Sequence, residues 1–145
     1  MIGRRGFVLL GAGAGIAALA GFVGYSRSFD GEMLDPEQAH RAATAGTVAL
    51  IDIRRPDEWA LTGIGEGAHP LDMLRPDFDA ALARIVGNDR AAPVALICAR
   101  GVRSARLAAR LQRAGFTRII DVPEGMLGSA AGPGWIARGL PVRPG

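Results

Sequence analysis

The eleven residues from Val94 to Ser104 read VALICARGVRS and specify a strand, a tight loop and the start of a helix. The first four residues are apolar and follow a proline, which predicts a short buried strand. The residues after the loop place two leucines on one face of a helix over 104–114, which Gly115 closes. Cys98 therefore lies at the carboxyl end of a buried strand, where parallel α/β folds bind their ligands.

The same alternation of strands and helices extends over the rest of the chain. Asp35, Pro36 and Glu37 begin a helix, because Asp caps helices, Pro suits the first turn and Glu complements the helix dipole. Gly46 closes that helix. The other predicted elements are, in order, a strand over Val48–Ile53, a helix over Pro56–Leu61, a glycine-rich turn over Gly63–His69, a helix over Asp77–Val86, a strand over Arg118–Val122 and a glycine-rich end with Trp135. This order predicts an α/β fold with a central parallel sheet flanked by helices on both faces.

The first 28 residues are interpreted as a targeting segment that precedes the fold. Arg4 and Arg5 give it a positive start, and residues 7–25 carry no charge. A hydrophobic helix of that length spans roughly 28 Å, close to the thickness of the bilayer hydrocarbon core. The predicted organisation is therefore a signal peptide or membrane anchor over 1–28, a linker over 29–34 and one folded domain over 35–145.

The arginine pair is similar to a twin-arginine export signal in the stretch Arg4-Arg5-Gly6-Phe7-Val8-Leu9. The sequence Ala18-Leu19-Ala20 fits a cleavage site, whereas the chain stays apolar through Tyr25, as an uncleaved anchor would. Cleavage and anchoring both stay open, and an uncleaved segment would contact the membrane through residues 7–25. Because positive residues remain in the cytoplasm, we expect the domain on the periplasmic side of the bacterial cytoplasmic membrane.

Charge and cysteine content exclude several classes of protein. All 17 basic residues are arginine, and from Ser28 onward 14 arginines balance 14 acidic residues. A body without net positive charge argues against a nucleic-acid partner. The single cysteine excludes an internal disulfide and a zinc site of the paired-cysteine type. Since His40 and His69 are the only histidines, we do not expect a multi-histidine metal site either.

The loop that follows the buried strand suits a reactive sulfur. Backbone N–H groups at the start of the helix and the side chains of Arg100 and Arg103 favour the thiolate of Cys98 over the thiol. Gly101 permits the tight turn, and Ser104 is expected to cap the helix. A thiolate is a nucleophile, so this loop suits covalent sulfur chemistry. The competing interpretation, an inert cysteine buried at a strand end, gives the two arginines no evident purpose.

Four segments resemble, in the same order, the signatures of rhodanese domains. The loop Cys98-Ala99-Arg100-Gly101-Val102-Arg103-Ser104 resembles the Cys-x-x-Gly-x-Arg-Ser active-site loop of that family. The other three are Ile51-Asp52-Ile53-Arg54 with Glu58-Trp59, the stretch from Gly63 through Asp72-Met73, and Gly139-Leu140-Pro141-Val142 with Trp135 before it. The resemblance covers about Asp35 to Arg143 and implies a rhodanese-like fold and a single-domain sulfurtransferase.

The resemblance also implies a mechanism. The Cys98 thiolate would take the outer sulfur of thiosulfate or a similar donor as a persulfide and pass it to cyanide, a thiol or a cysteine of a partner protein. The implied substrate-binding residues are Ala99, Arg100, Gly101, Val102, Arg103 and Ser104. Of these, we expect Arg100 to contact the substrate anion and Arg103 both to anchor the loop and to add positive potential, although either could instead bind a neighbouring carboxylate. Asp52 and Arg54 are assigned a supporting role as an ion pair at a strand end.

Two alternatives accompany this hypothesis. Phosphatases of related folds use a Cys-x5-Arg loop, but Arg103 comes one residue early and Ser104 stands at the arginine position, so the loop is sized for a single sulfur atom. A rhodanese-like module that carries persulfide or docks to a protein without turnover is the other alternative. Gly65-Glu66 and Glu124-Gly125 depart from the family pattern, which bears on substrate preference. His69 and Trp59 are expected to pack, and His40 to be solvated.

Overall fold

The computed structural model describes residues 29–145, which form a parallel sheet with helices on both faces. The helices are α1 (Pro36–Thr44), α2 (Pro56–Thr62), α3 (Phe78–Ile85) and α4 (Val102–Arg113). The strands are β1 (Glu32–Met33), β2 (Ala49–Asp52), β3 (Ile64–Gly65), β4 (Ala68–Pro70), β5 (Val94–Ile97), β6 (Ile119–Asp121) and β7 (Val142–Arg143). The main sheet has five strands in the order β1-β6-β5-β2-β4, and every pairing in it is parallel. The predicted α/β fold is confirmed.

The central strand β5 lies between β2 and β6, and it is buried on both faces because residues of the flanking helices and loops cover both sides of the sheet. Its alternating side chains feed two separate apolar cores. Val94 and Leu96 pack with α3 and α4 on one face, whereas Ala95 and Ile97 pack with Trp135 and with α1 on the other. A strand that is buried on both faces has a continuous apolar sequence, which is why β5 could be predicted from the sequence.

Helix α1 begins as its sequence predicts. The Asp35 carboxylate accepts the backbone N–H of Gln38 at 2.8 Å, and the Gln38 side chain accepts the N–H of Asp35 at 2.9 Å. These reciprocal bonds satisfy two N–H groups that the first turn leaves free, so the capping prediction for Asp35 is confirmed.

Short strands account for the main differences from the prediction. Residues 29–34 are not a free linker, because Glu32 and Met33 pair with β6 at the sheet edge and Phe29 is buried in the core. The predicted turn over 63–69 contains β3 and β4 instead, and β3 pairs with β7 in a separate antiparallel ribbon. The strands β1, β3 and β4 are too short to show an alternating pattern in the sequence, and pairing with distant residues defines them.

The predicted targeting segment, residues 1–28, lies outside the residues that the structure describes. From residue 29 to residue 145, no helix is both long enough and apolar enough to cross a membrane. The signal or anchor therefore stays a prediction from sequence.

Candidate active site around Cys98

Cys98 directly follows β5 at the carboxyl edge of the sheet, as predicted. Its Sγ accepts a hydrogen bond from the backbone N–H of Gly101 at 3.1 Å. The Cys98 residue is 1% exposed, so the sulfur lies beneath its loop rather than on the surface. A hydrogen bond from an N–H at a helix N-terminus stabilises negative charge on the sulfur.

Ser104 has a different role from the predicted cap. Helix α4 begins two residues earlier, at Val102, and Gly101 occupies the capping position in a left-handed conformation with φ of 80°. Ser104 is therefore in the first turn and fully buried, and its Oγ accepts from the Cys98 thiol at 3.5 Å. The same hydroxyl donates to the Gly101 carbonyl at 3.3 Å. Because a hydroxyl can also donate, it could hydrogen-bond to the deprotonated sulfur.

Arg103 binds a carboxylate, which the sequence analysis left open for it, but the partner, Glu58, was not identified from the sequence. Its Nη1 and Nη2 donate to Glu58 Oε2 at 2.8 Å and Oε1 at 2.6 Å. The hydrogen bonds from Arg103 hold the pKa of Glu58 at about 2, and the pair in turn raises the pKa of Arg103. Glu58 belongs to one of the four segments that resemble rhodanese signatures. Arg103 is 45 residues away from it in the chain, and nothing in the sequence predicts that the two residues pair.

The remaining residues of the loop differ in how they are held. Arg100 is exposed, and its Nη1 donates to the Gly128 carbonyl at 3.3 Å. Val102 is 38% exposed at the rim. Ala99 is half-buried, and its carbonyl accepts the N–H of Leu127 at 2.9 Å. Arg100 is thus the guanidinium of the loop that an incoming anion can reach first.

A second loop, residues 123–127, braces the cysteine loop from the next strand. Besides the bond to Ala99, the Cys98 carbonyl accepts the N–H of Met126 at 2.8 Å. A side chain at Gly101 would overlap the Pro123 carbonyl oxygen, and one at Gly125 would overlap the Ala99 backbone. Both glycines also have positive φ, so the two loops pack at a distance that only glycine permits.

Glu124, noted as a departure from the family pattern, anchors this second loop. The residue is 4% exposed, and its carboxylate accepts from Arg138 Nη2 at 2.7 Å and Nε at 2.8 Å. It also accepts the backbone N–H of Gly134 at 2.9 Å. Chiefly through the Arg138 hydrogen bond, this environment lowers the pKa of Glu124. This partly buried ion pair connects the second loop to the C-terminal segment, and it was not predicted from the sequence.

Asp52 and Arg54 form a buried ion pair beneath the site. Arg54 Nη2 lies 2.7 Å from Asp52 Oδ2, and the two side chains are 1% and 0% exposed. The guanidinium also donates to Thr62 Oγ1 at 2.7 Å and to the Gly63 carbonyl at 2.8 Å. The pair joins the end of β2 to the end of α2 and makes no contact with the sulfur, which fits the structural role favoured for it.

The other residues singled out in the sequence lie away from the sulfur. His69 is exposed rather than packed. His40 is not freely solvated: its Nε2 lies 3.3 Å from Glu66 Oε1 and its ring contacts Trp135 edge-on at 5.5 Å between centroids. Trp59 is half-buried against the core that contains Trp135, as expected for a packing residue.

The fold and the site together define an α/β domain built around a cysteine loop at the carboxyl edge of a parallel sheet. Residues 35–130 match the family model of the rhodanese-like domain, and the chain belongs to that family. No curated protein matches the chain.

Solved structures agree with this assignment. A polysulfide-sulfur transferase homodimer from Wolinella succinogenes is 28% identical over 81% of this chain and 80% of its own, with a TM-score of 0.61. A protein of unknown function from Rhodopseudomonas palustris, described as a possible tyrosine phosphatase, is 25% identical over 77% of this chain and 84% of its own, with a TM-score of 0.59. A rhodanese-related protein from Thermoplasma volcanium is 23% identical over 78% of this chain and 98% of its own, with a TM-score of 0.54, and supports the fold alone. At the level of the family, these similarities support a sulfurtransferase-type function.

Proposed function

We propose that this protein is a sulfurtransferase that carries sulfane sulfur as a persulfide on Cys98. The observation that carries the proposal is the hydrogen bond from the Gly101 N–H to Cys98 Sγ at the N-terminus of α4. That N–H is oriented to stabilise a thiolate before transfer and the sulfur anion after it. Arg100 adds positive potential for an anionic donor, whereas Glu58 balances the charge of Arg103.

The reaction has two displacement steps. The Cys98 thiolate attacks the outer sulfur of thiosulfate, the sulfur–sulfur bond of the donor breaks, and sulfite leaves with the bonding electron pair. An acceptor nucleophile, which is cyanide, a thiol or a partner cysteine, then attacks the outer sulfur of the persulfide. The Cys98–sulfur bond breaks, and Cys98 leaves as the thiolate. Both steps balance without a metal, an oxidant or an organic cofactor.

Two donors fit the anionic requirement of the site. Thiosulfate is a compact dianion, and polysulfide is a chain of sulfur atoms with anionic ends. The similarity to the Wolinella succinogenes protein supports polysulfide as the second donor. Because Cys98 is 1% exposed, a narrow donor that presents a terminal sulfur suits the loop better than a bulky one.

The decisive experiment is an intact-mass measurement of the purified chain after incubation with thiosulfate and, separately, with polysulfide. We expect a gain of one sulfur atom on the wild type, loss of that gain on treatment with cyanide, and no gain in Cys98→Ser. Absence of an adduct with every sulfane donor tested would reject the proposal. Hydrolysis of a phosphate monoester by the wild type, without a sulfur adduct, would favour the phosphatase alternative instead.

A persulfide carrier without small-molecule turnover is the second candidate, and the exposed apolar side chains of Val102 and Leu127 beside the loop favour it, because they can contact a protein acceptor. The two functions differ in turnover. An enzyme releases many equivalents of thiocyanate from thiosulfate and cyanide, whereas a carrier is loaded once and releases its sulfur only to a suitable protein thiol.

We propose further that residues 1–28 direct the domain to the periplasmic side of the cytoplasmic membrane, as a cleaved signal or an anchor. The charge-free stretch 7–25 after an arginine pair supports this localisation. An immunoblot of cell fractions tests it. A shorter form in the periplasm indicates cleavage, a full-length form in the membrane indicates an anchor, and a full-length form in the cytoplasm would contradict both.

A further inference from the structure

From Ser28 onward the chain has equal numbers of arginines and acidic residues, but the arginines are unevenly distributed along it. Between Asp89 and Asp121 there are seven arginines and no acidic residue, half of the arginines of the folded body. Helix α4 contributes four of them, at spacings of three, four and three residues, which keeps them on one side of the helix. They extend over about 15 Å of helix. We call this set the arginine stripe: Arg103, Arg106, Arg110 and Arg113.

Two members of the arginine stripe are not neutralised. Arg103 pairs with Glu58, and Arg110 pairs with Asp79 at 2.7 Å. Arg106 and Arg113 are both exposed, and neither has a carboxylate partner among residues 29–145. Arg106 and Arg113 lie two turns apart on the same side of α4, so both can contact an anionic surface laid across the stripe without losing an existing ion pair.

The arginine stripe begins at the cysteine loop, residues 98–104. Arg103 belongs to both, and Cys98 lies just before the helix that carries the stripe. Two exposed apolar side chains stand beside the loop, Val102 at 38% and Leu127 at 42% exposure. Apolar contacts beside arginines form the usual composition of a protein docking surface.

We propose that the arginine stripe docks a partner protein whose acidic surface surrounds the cysteine that exchanges sulfur with Cys98. This inference rests on the proposed persulfide function and adds the kind of partner to it. The thiolate of the partner attacks the outer sulfur of the Cys98 persulfide, the bond between Cys98 and that sulfur breaks, and Cys98 leaves as the thiolate. The sulfur moves to the partner as its own persulfide, and no oxidant is consumed.

Two other polyanions fit the same helix less well. Single-stranded nucleic acid is bound by aromatic side chains that stack on bases, and α4 has no aromatic residue. A helix that binds a lipid surface exposes an apolar face, whereas Leu107 and Leu111 of α4 are buried in the core. A protein surface requires only complementary charge and a small apolar contact.

The test compares two synthetic peptides that each contain one cysteine, flanked by Asp and Glu in one and by Asn and Gln in the other. The full-length chain is loaded with sulfur, and the rate of transfer to each peptide is measured. At low salt we expect transfer to the acidic peptide to be faster by on the order of fivefold. The preference should vanish near 1 M salt, where the screening length falls to about 3 Å.

Substitutions in the arginine stripe test whether it causes the faster transfer to the acidic peptide. The double substitution Arg106→Gln and Arg113→Gln should bring the ratio of the two rates close to one. The matched control, Arg41→Gln with Arg84→Gln, removes the same charge from exposed positions on α1 and α3 and should keep the wild-type ratio. Equal rates in the wild type, or an unchanged ratio in the stripe variant, would overturn the proposal.

A binding measurement separates this proposal from the persulfide function. Fluorescence anisotropy of the labelled acidic peptide is recorded on the Cys98→Ser chain, with and without the stripe substitutions. Weaker binding in the stripe variant supports docking even if Cys98 accepts sulfur from no donor. Tighter binding of a single-stranded oligonucleotide, or of vesicles of phosphatidylglycerol and phosphatidylcholine, through the same arginines would overturn the assignment to a protein.

Discussion

Arg103 and Glu58 lie 45 residues apart in the chain and form a two-pronged ion pair, with Nη2–Oε1 and Nη1–Oε2 distances of 2.6 and 2.8 Å. The pair joins the first turn of α4 to α2, so it holds the cysteine loop against a helix from a distant part of the chain. Two parallel hydrogen bonds between charged groups fix orientation as well as distance. The position of the loop therefore depends on a residue outside it.

Replacing Glu58 with Gln should lower the free energy of unfolding at neutral pH by roughly 1 kcal/mol, the upper end of the range for partly exposed pairs. The folded-state pKa of Glu58 is about 2, below its ordinary value of 4.5. The stabilisation is thus complete above pH 4.5 and is lost as the pH falls toward 2. Urea unfolding of the wild type and the variant at several pH values measures both effects.

The matched control for this prediction is Glu32→Gln, since Glu32 is exposed and lies 3.9 Å from Arg118. It should leave stability at neutral pH almost unchanged. If the difference in stability between the wild type and Glu58→Gln were the same at neutral and acidic pH, the ion pair would not be the source of the stabilisation.

Replacing Gly101 with Ala should disable the cysteine loop. The position has φ of 80°, and the added methyl group would meet the Pro123 carbonyl oxygen. The left-handed conformation alone costs about 1–2 kcal/mol, and the overlap forces the loop to move. We expect both a lower urea midpoint and slow formation of the persulfide adduct, read by intact mass over time.

Gly87→Ala separates the two causes, because Gly87 also has positive φ, 63°, but has open space around the position of the new methyl group. That variant should lose stability and keep the rate of adduct formation. Equal rates in Gly101→Ala and the wild type would show that the close approach of the two loops is not required for sulfur transfer.

Asp52→Asn should be among the most destabilising polar substitutions in the domain. It leaves the buried guanidinium of Arg54 without its carboxylate, and breaking a buried pair on one side costs about 3–5 kcal/mol. The neighbouring pair of Asp57 and Arg55 is exposed, so Asp57→Asn should cost less than about 1 kcal/mol. Urea unfolding of the two variants side by side checks this; similar midpoints would contradict the structural role of Asp52.

The sequence predicted those parts of the molecule whose signal is local. The apolar run of β5 and the leucine spacing of α4 located the cysteine loop, and Asp35 correctly predicted the start of α1. The two-residue strands β1, β3 and β7 were missed, since pairing with distant residues defines them. The ion pairs of Glu58 and Glu124 were also missed, because charge pairing between residues far apart in the chain depends on the tertiary structure. The predicted capping role of Ser104 was wrong because the left-handed Gly101 caps the helix, which begins at Val102.

Replacing Ser104 with Ala tests the proposed chemistry at a residue that contacts the sulfur. The Ser104 hydroxyl lies 3.5 Å from Cys98 Sγ and can donate to the sulfur anion that forms during transfer. Loss of one hydrogen bond to a charged group, about 1.5–3 kcal/mol, should slow adduct formation by roughly tenfold to a hundredfold.

The fold should tolerate the change, since it removes a single oxygen atom and the Gly101 carbonyl keeps its hydrogen bond from the Ala105 N–H, so urea midpoints should stay close. Ser129→Ala, which removes a hydroxyl bonded to the Pro123 carbonyl at 2.8 Å, is the control for a lost hydroxyl that does not contact the sulfur. A Ser104→Ala rate equal to the wild type would leave the Gly101 N–H as the donor that stabilises the sulfur anion. A rate lowered equally in both variants would indicate a general effect on the loops rather than a contact with the sulfur.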